Sequence, residues 1–159
     1  KGYTEAAIFA SRHSYFATSQ RVQAFISSCE RLGIETDEKY ILKGSSTRNG
    51  GYEIGKQYAA LKEPPKMIFC DSDAIALGAL RAFHEEGISV PGDAELLSIG
   101  MLDPEAASYY VPSLSVVEMP NKEIGQQVLR LMRKKVLNND MSSEHVKVHA
   151  KLMLRESFS

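Results

Sequence analysis

Residues 65–91 read PKMIFCDSDAIALGALRAFHEEGISVP. After two prolines, the apolar run Met67-Ile68-Phe69-Cys70 has the length and bulk of a strand buried on both faces. A polar cluster follows at once, Asp71-Ser72-Asp73. The next ten residues, Ala74 to Phe83, are small or apolar at helical spacing, and Gly87 supplies the left-handed stop. Ser72 or Asp71 is placed to cap this helix, with Asp73 in its first turn where a negative charge is stabilised. A strand that turns tightly into a helix puts the turn's side chains at the carboxyl end of the strand, beside the positive end of the helix dipole. In open α/β sheets that edge is where ligands bind.

The same unit recurs on both sides. Residues 6–10 form an apolar first strand, and residues 11–17 a polar loop carrying Arg12, His13, Tyr15 and Phe16. A helix capped by Thr18 or Ser19 follows, with Val22, Phe25, Ile26, Cys29 and Leu32 at helical period and Gly33 at its end. Residues 39–43 are a second strand. A glycine-bearing loop, 44–51, then leads into a helix from about Tyr52 to Leu61, its start made permissive and mobile by Gly50 and Gly51. Residues 95–100 are a fourth strand. This alternation predicts a doubly wound α/β fold, a parallel sheet with helices on both faces and all the loops after strands on one edge.

The last third departs from that rhythm. Residues 114–119 are extended. A helix from Asn121 carries the stripe Ile124, Val128, Leu131, Met132 and Val136, with Arg133, Lys134 and Lys135 in its last turns. Residues 138–140 are a turn. Residues 146–154 then alternate strictly, as an edge strand with one wet face does.

Composition narrows the function. The 159 residues carry a formal net charge of −1, too little to grip a nucleic-acid backbone by themselves. No apolar run is long enough to span a membrane. The two cysteines, Cys29 and Cys70, lie in apolar patterns and are expected to be buried and reduced. No glycine-rich phosphate turn follows the first strand, and the histidines are scattered, so no metal site and no cofactor is expected. Asp71 and Asp73 could form a metal-binding pair at a strand end. Against that, no acidic pair closes the first strand and no lysine follows a later strand in the matching place. Arg21 lies in the first turn of its helix, off the apolar stripe. It is either a solvated arginine or a fork of donors over the strand edge. Tyr15 and Phe16 beside it could floor a ring or serve as lid packing. No nucleophile–base pair is present, and no enzymatic activity is expected.

The ordered set Gly2-Tyr3, Arg21-Val22-Gln23-Ala24-Phe25, Gly51-Tyr52, residues 69–81, Gly87-Ile88-Ser89-Val90-Pro91-Gly92-Asp93, Pro112-Ser113-Leu114-Ser115-Val116-Val117 and Leu154-Arg155-Glu156-Ser157 resembles the effector-binding domain of LacI/GalR-family bacterial transcription regulators. That domain is related in fold to periplasmic sugar-binding proteins. The resemblance implies a C-terminal subdomain of the periplasmic binding protein-like fold, with its core in residues 1–113. Residues 114–138 would be a crossing strand and a helix that packs on an N-terminal subdomain, and residues 139–159 a returning strand and tail. It implies a cytoplasmic homodimer that senses a small-molecule effector, sugar or nucleoside-like, and touches operator DNA only through a headpiece outside this sequence. A transport-type binding protein of the same fold is the alternative.

The effector contacts it implies fall on Arg21, Ser72, Asp73, Leu102 and Asp103, with Tyr15 and Phe16 alongside. Three of the expected polar positions are altered. Ser72 stands for an asparagine, Met101-Leu102-Asp103 for an aromatic and two aspartates, and Met119 for a polar residue. A hydroxyl facing Leu102 would go unpaired, at roughly 1–3 kcal/mol. The effector is therefore less hydroxylated than a sugar, or another side chain substitutes, or the pocket has decayed.

Overall fold

The computed structural model describes residues 2–13, 16–100, 105–138 and 142–158. Six strands form one sheet in the order β2-β1-β3-β4-β5-β6. They are β1 (Ala6–Ser11), β2 (Ile41–Gly44), β3 (Met67–Cys70), β4 (Glu95–Gly100), β5 (Ser115–Glu118) and β6 (Lys151–Met153). The first five run parallel, and β6 alone is antiparallel, against β5. The helices are α1 (Phe16–Leu32), α2 (Arg48–Ala59), α3 (Asp73–Glu86) and α4 (Asn121–Asn138). The α/β alternation read from the sequence is thus the architecture of the chain.

β1 is buried along its whole length because it lies inside the sheet with layers on both faces. On one face Phe9, Ile68, Cys70 and Leu96 meet α2 and α3. Phe9 stands edge-on to Tyr58 at 5.5 Å and to Phe83 at 6.2 Å, so aromatic rings fill this layer. The one hydroxyl among them, that of Tyr58, donates to the Pro65 oxygen at 2.8 Å. On the other face Phe69 stacks on Phe25 of α1 at 5.4 Å. Cys29 and Cys70 are buried free thiols, as their apolar surroundings predict, and burial pushes both thiols up.

Four expectations are corrected. α1 starts at Phe16, ahead of Thr18 and Ser19, so Arg21 lies in its second turn. Residues 38–40 are a short 3-10 turn closed by the Asp37 carboxylate, which delays β2 to Ile41. α2 begins at Arg48 with Thr47 as its cap, so Gly50 and Gly51 lie inside the helix, buried, rather than in a mobile start. A Cβ on Gly51 would sit 2.1 Å from the Ile75 main-chain oxygen, and one on Gly78 would sit 1.9 Å from that of Arg48. These glycines let two helices approach backbone to backbone, a use that sequence spacing alone does not separate from flexibility. Finally, the alternating stretch 146–154 pairs only at Lys151–Met153, and Leu152 and Leu154 are exposed rather than facing a core. The turn expected at 138–140 lies largely outside the described residues.

The tail beyond β6 is tied down by hydrogen bonds. The Leu96 amide donates to the Ser157 main-chain oxygen at 2.7 Å, and the Ser157 amide to that of Ser113 at 3.0 Å. The buried Ser157 hydroxyl donates to the Leu96 oxygen and accepts from the Ser115 amide, both at 2.8 Å. Arg155 and Glu156 close the same seam on Leu114 and Ser113. α4 is different: among its described side chains none is buried, and Leu129, Met132, Val136 and Leu137 are all exposed.

Candidate functional site

Parallel β1, β3, β4 and β5 end side by side, so their carboxyl ends form one rim. Ser72 caps α3 with its hydroxyl on the Ile75 amide. Asp73 opens the helix, 8% exposed, its Oδ1 accepting from the Ala74 amide at 2.9 Å. Gly87, at φ 72°, ends α3 in the left-handed region that the sequence pattern predicts. Arg21 reaches over from α1, and its Nη1 donates to the main-chain oxygen of Asp71 at 2.9 Å. Arg21 and the Ser72–Asp73 turn are therefore brought together on one rim.

Beside them lies a cavity of about 30 Å³. Its polar lining includes Asp73, Glu118 and Asn121, and its apolar lining includes Leu114, Val116 and Tyr110. A pocket for a drug-sized ligand takes roughly 300–1,000 Å³, so this cavity is too small to enclose a sugar or nucleoside by itself. The cavity is the floor of a site rather than a whole one.

Phe16 is 81% exposed at the start of α1 and is not among the residues that line this cavity. Its proposed part as a ring platform depends on whatever covers it. Tyr15, Leu102 and Asp103 lie outside the described residues. Sequence reasoning did not single out Glu118, Asn121 and Tyr110. The parallel register that sets Gly100 opposite Glu118 would have pointed to Glu118, because both residues end their strands at the rim.

Asp71 shows the rim's electrostatics most directly. It is 2% exposed; Oδ2 accepts the Ser11 amide at 2.9 Å, and Oδ1 is buried with no hydrogen-bond partner. Burial pushes its carboxyl above the ordinary 3.8, while the Ser11 amide, the Arg21 charge and the Ser72 hydroxyl pull it back. Among the described residues no group of histidine, cysteine or carboxylate side chains is placed to hold a metal ion. No helix of those residues is long and apolar enough to cross a membrane.

Residues 1–158 match the periplasmic binding protein-like domain. The HTH-type transcriptional repressor PurR of Mannheimia succiniciproducens is 30% identical over 138 residues, 87% of this chain and 41% of that protein. The HTH-type transcriptional repressor CytR of Escherichia coli K12 is 32% identical over 133 residues, 84% of this chain and 37% of that protein. A crystal structure of a LacI family transcription regulator from Clostridium acetobutylicum superposes with a TM-score of 0.89 at 30% identity, covering 96% of this chain and 57% of the other. The chain spans about two fifths of the length of the curated relatives, and these relatives are repressors, not enzymes. The chain belongs to the periplasmic binding protein-like domain family, in the form that LacI/GalR transcriptional regulators carry as their effector-binding domain.

Proposed function

We propose that the chain is one jaw of a small-molecule sensor in a transcription regulator. Effector binding on the rim of Arg21, Ser72 and Asp73 would change the closure of the domain, and with it DNA binding by a helix-turn-helix headpiece elsewhere in the longer protein. The observation that carries this reading is the Arg21–Asp71 hydrogen bond. It fixes a guanidinium beside the cap of α3 and next to the cavity holding Asp73 and Glu118. Donors of Arg21 at the cap of α3, with the Asp73 and Glu118 carboxylates lining the cavity on the same rim, suit the hydroxyl and amide groups that a sugar or nucleoside presents. The signal is differential affinity for the closed state, with no chemistry on the ligand.

The exposed apolar face of α4 is assigned to the rest of the longer protein, as the face toward an N-terminal subdomain. A second surface, where Leu77, Leu80, Tyr110 and the 95%-exposed Val111 lie beside Arg81 and His84, is assigned to a second copy of the chain.

The test is a thermal-shift screen of the full-length protein against sugars and nucleosides. A specific binder raises the melting temperature by mass action. Arg21→Ala should abolish that rise. A rise that survives the substitution unchanged removes Arg21 from the site.

A further inference from the structure

The helical period divides α4 into faces. Ile124, Gln127, Leu131 and Lys134 are its half-buried row. Val128, Met132 and Val136, spaced four apart, make the exposed apolar row. The next row round the helix is Leu129, Arg133 and Leu137, two exposed leucines with a guanidinium between them. Arg130 and Lys134 flank that row on its far side. These five residues line an open groove of about 640 Å³. Cations at the end of a helix complement its dipole, and Lys135 also donates to the Ser142 main-chain oxygen at 2.7 Å. That account reaches only the last turn. Arg130 lies two turns before the end, and the dipole gives no reason for cations to surround exposed leucines. From Ile124 to Asn138 there is no carboxylate, although the whole chain has a net charge of −1. One carboxylate arrives from the tail: Glu144 accepts from Arg130 Nη2 at 2.8 Å and from Lys134 Nζ at 3.0 Å. Among the described residues Arg133 pairs with no carboxylate.

We propose that this groove docks an acidic segment of a partner protein. Apolar side chains of the partner cover Leu129 and Leu137, and its carboxylates meet Arg130 and Arg133, as Glu144 meets Arg130 from within the chain. A nucleic-acid backbone would match the charge and leave the leucines wet. An anionic lipid surface needs a broad apolar face to insert, and that of α4 is assigned to the longer chain. Leu129 borders both faces, so Arg133 and Leu137 are the residues that distinguish the groove. The proposal uses no residue of the rim and stands or falls apart from the effector reading.

The probe is a fluorescein-labelled peptide of about 18 residues, with leucines at four-residue spacing flanked by glutamates on one helical face. Its control has the same composition in scrambled order. Binding is read by fluorescence anisotropy on the full-length protein at constant ionic strength. The ordered peptide should bind about tenfold more tightly than the scrambled one, and Arg130→Glu and Arg133→Glu should each lose about that factor. Glu144→Gln should tighten binding about threefold, because it removes the internal competitor. Leu137→Ser keeps every charge and should weaken the ordered peptide alone. Absence of binding overturns the proposal, as does equal binding of the two peptides or binding indifferent to both charge reversals. A Glu144→Gln variant that binds no better overturns it too. Tighter binding of duplex DNA or of phosphatidylglycerol vesicles than of the ordered peptide would give the groove to another class of partner and overturn it equally. If a charge-reversed variant fails to fold, Leu137→Ser and Glu144→Gln decide.

Discussion

Nη1 of Arg21 donates to the main-chain oxygen of Asp71 at 2.9 Å across 50 positions of sequence, tying the second turn of α1 to the end of β3. A bond of this kind can serve the fold, the ligand or both. Arg21→Ala should lower stability by about 1 kcal/mol, since the guanidinium is only partly buried. It should lower affinity for a ligand found in the screen by about tenfold or more, the loss of a charged fork. Urea denaturation and calorimetry separate the two. Arg21→Lys should recover part of the stability and little of the affinity, because an ammonium cannot present the planar donor pair. Equal losses in both measurements would make the arginine a structural strut.

Two glycine sites in helices should respond with opposite signs. In an exposed helix interior, Gly→Ala gains about 1 kcal/mol from backbone entropy. Gly125 of α4 has nothing within 4 Å of a built Cβ, so Gly125→Ala should raise the melting temperature. A Cβ built on Gly51 would lie 2.1 Å from the Ile75 main-chain oxygen, where nothing flexible can yield. Gly51→Ala should cost about 3 kcal/mol or more as α2 and α3 are forced apart. A neutral Gly51→Ala would mean that the helices approach less closely than described.

Much of the fold was readable because parallel strands buried on both faces and helices with terminal glycines leave strong local marks. The stretch around Asp71-Ser72-Asp73 is the clearest case: strand, cap, first-turn acid and left-handed stop each follow from residue type. α2 misled because a glycine pair reads as loose wherever its partner helix is unknown. Residues 146–154 misled because alternation reports which side chains could share a face, not whether anything covers it. At the site, Arg21 and the α3 cap were legible, since each sits next to a strand end. Glu118 was not, because its place on the rim depends on β5 pairing with β4, a long-range fact that no local pattern carries.

The tail seam offers a test of long-range order. The Ser157 hydroxyl serves Leu96 and Ser115 together, inside the sheet layer. Ser157→Ala strands the Ser115 amide and the Leu96 oxygen without water, at roughly 1–3 kcal/mol each at most. The expected result is a cooperative unfolding curve shifted to lower urea with an unchanged slope. A loss below about 0.5 kcal/mol would indicate that the tail is frayed in solution.

Assigning the Val111 surface to a second copy predicts that the full-length protein sediments as a dimer at micromolar concentration. Val111→Asp places a charge in the middle of that apolar patch and should shift the boundary toward monomer. Leu129→Asp on α4 should leave the sedimentation coefficient of the dimer in place while lowering stability, because that face is assigned to contacts within the longer chain. The reverse pattern would exchange the two assignments.

The titration of Asp71 gives a signed pH test. Its folded-state carboxyl is raised above the ordinary 3.8, chiefly by burial. The folded chain therefore binds this proton more tightly than the unfolded chain. The contribution of the group to stability is fully present below 3.8 and is lost as pH rises through the folded value. Glu156 runs the other way. The Ser113 amide and hydroxyl hold its carboxyl below the ordinary 4.5, so its contribution is present above 4.5 and lost as pH falls through the folded value. Urea denaturation at about pH 7 and about pH 4 should show Asp71→Asn gaining stability relative to wild type at the higher pH, with the gain shrinking at the lower, where the wild-type group begins to take up its proton. Glu156→Ala should show a deficit at pH near 7 that narrows as the solution is acidified. A parallel response of the two variants would mean that Asp71 is solvated rather than buried.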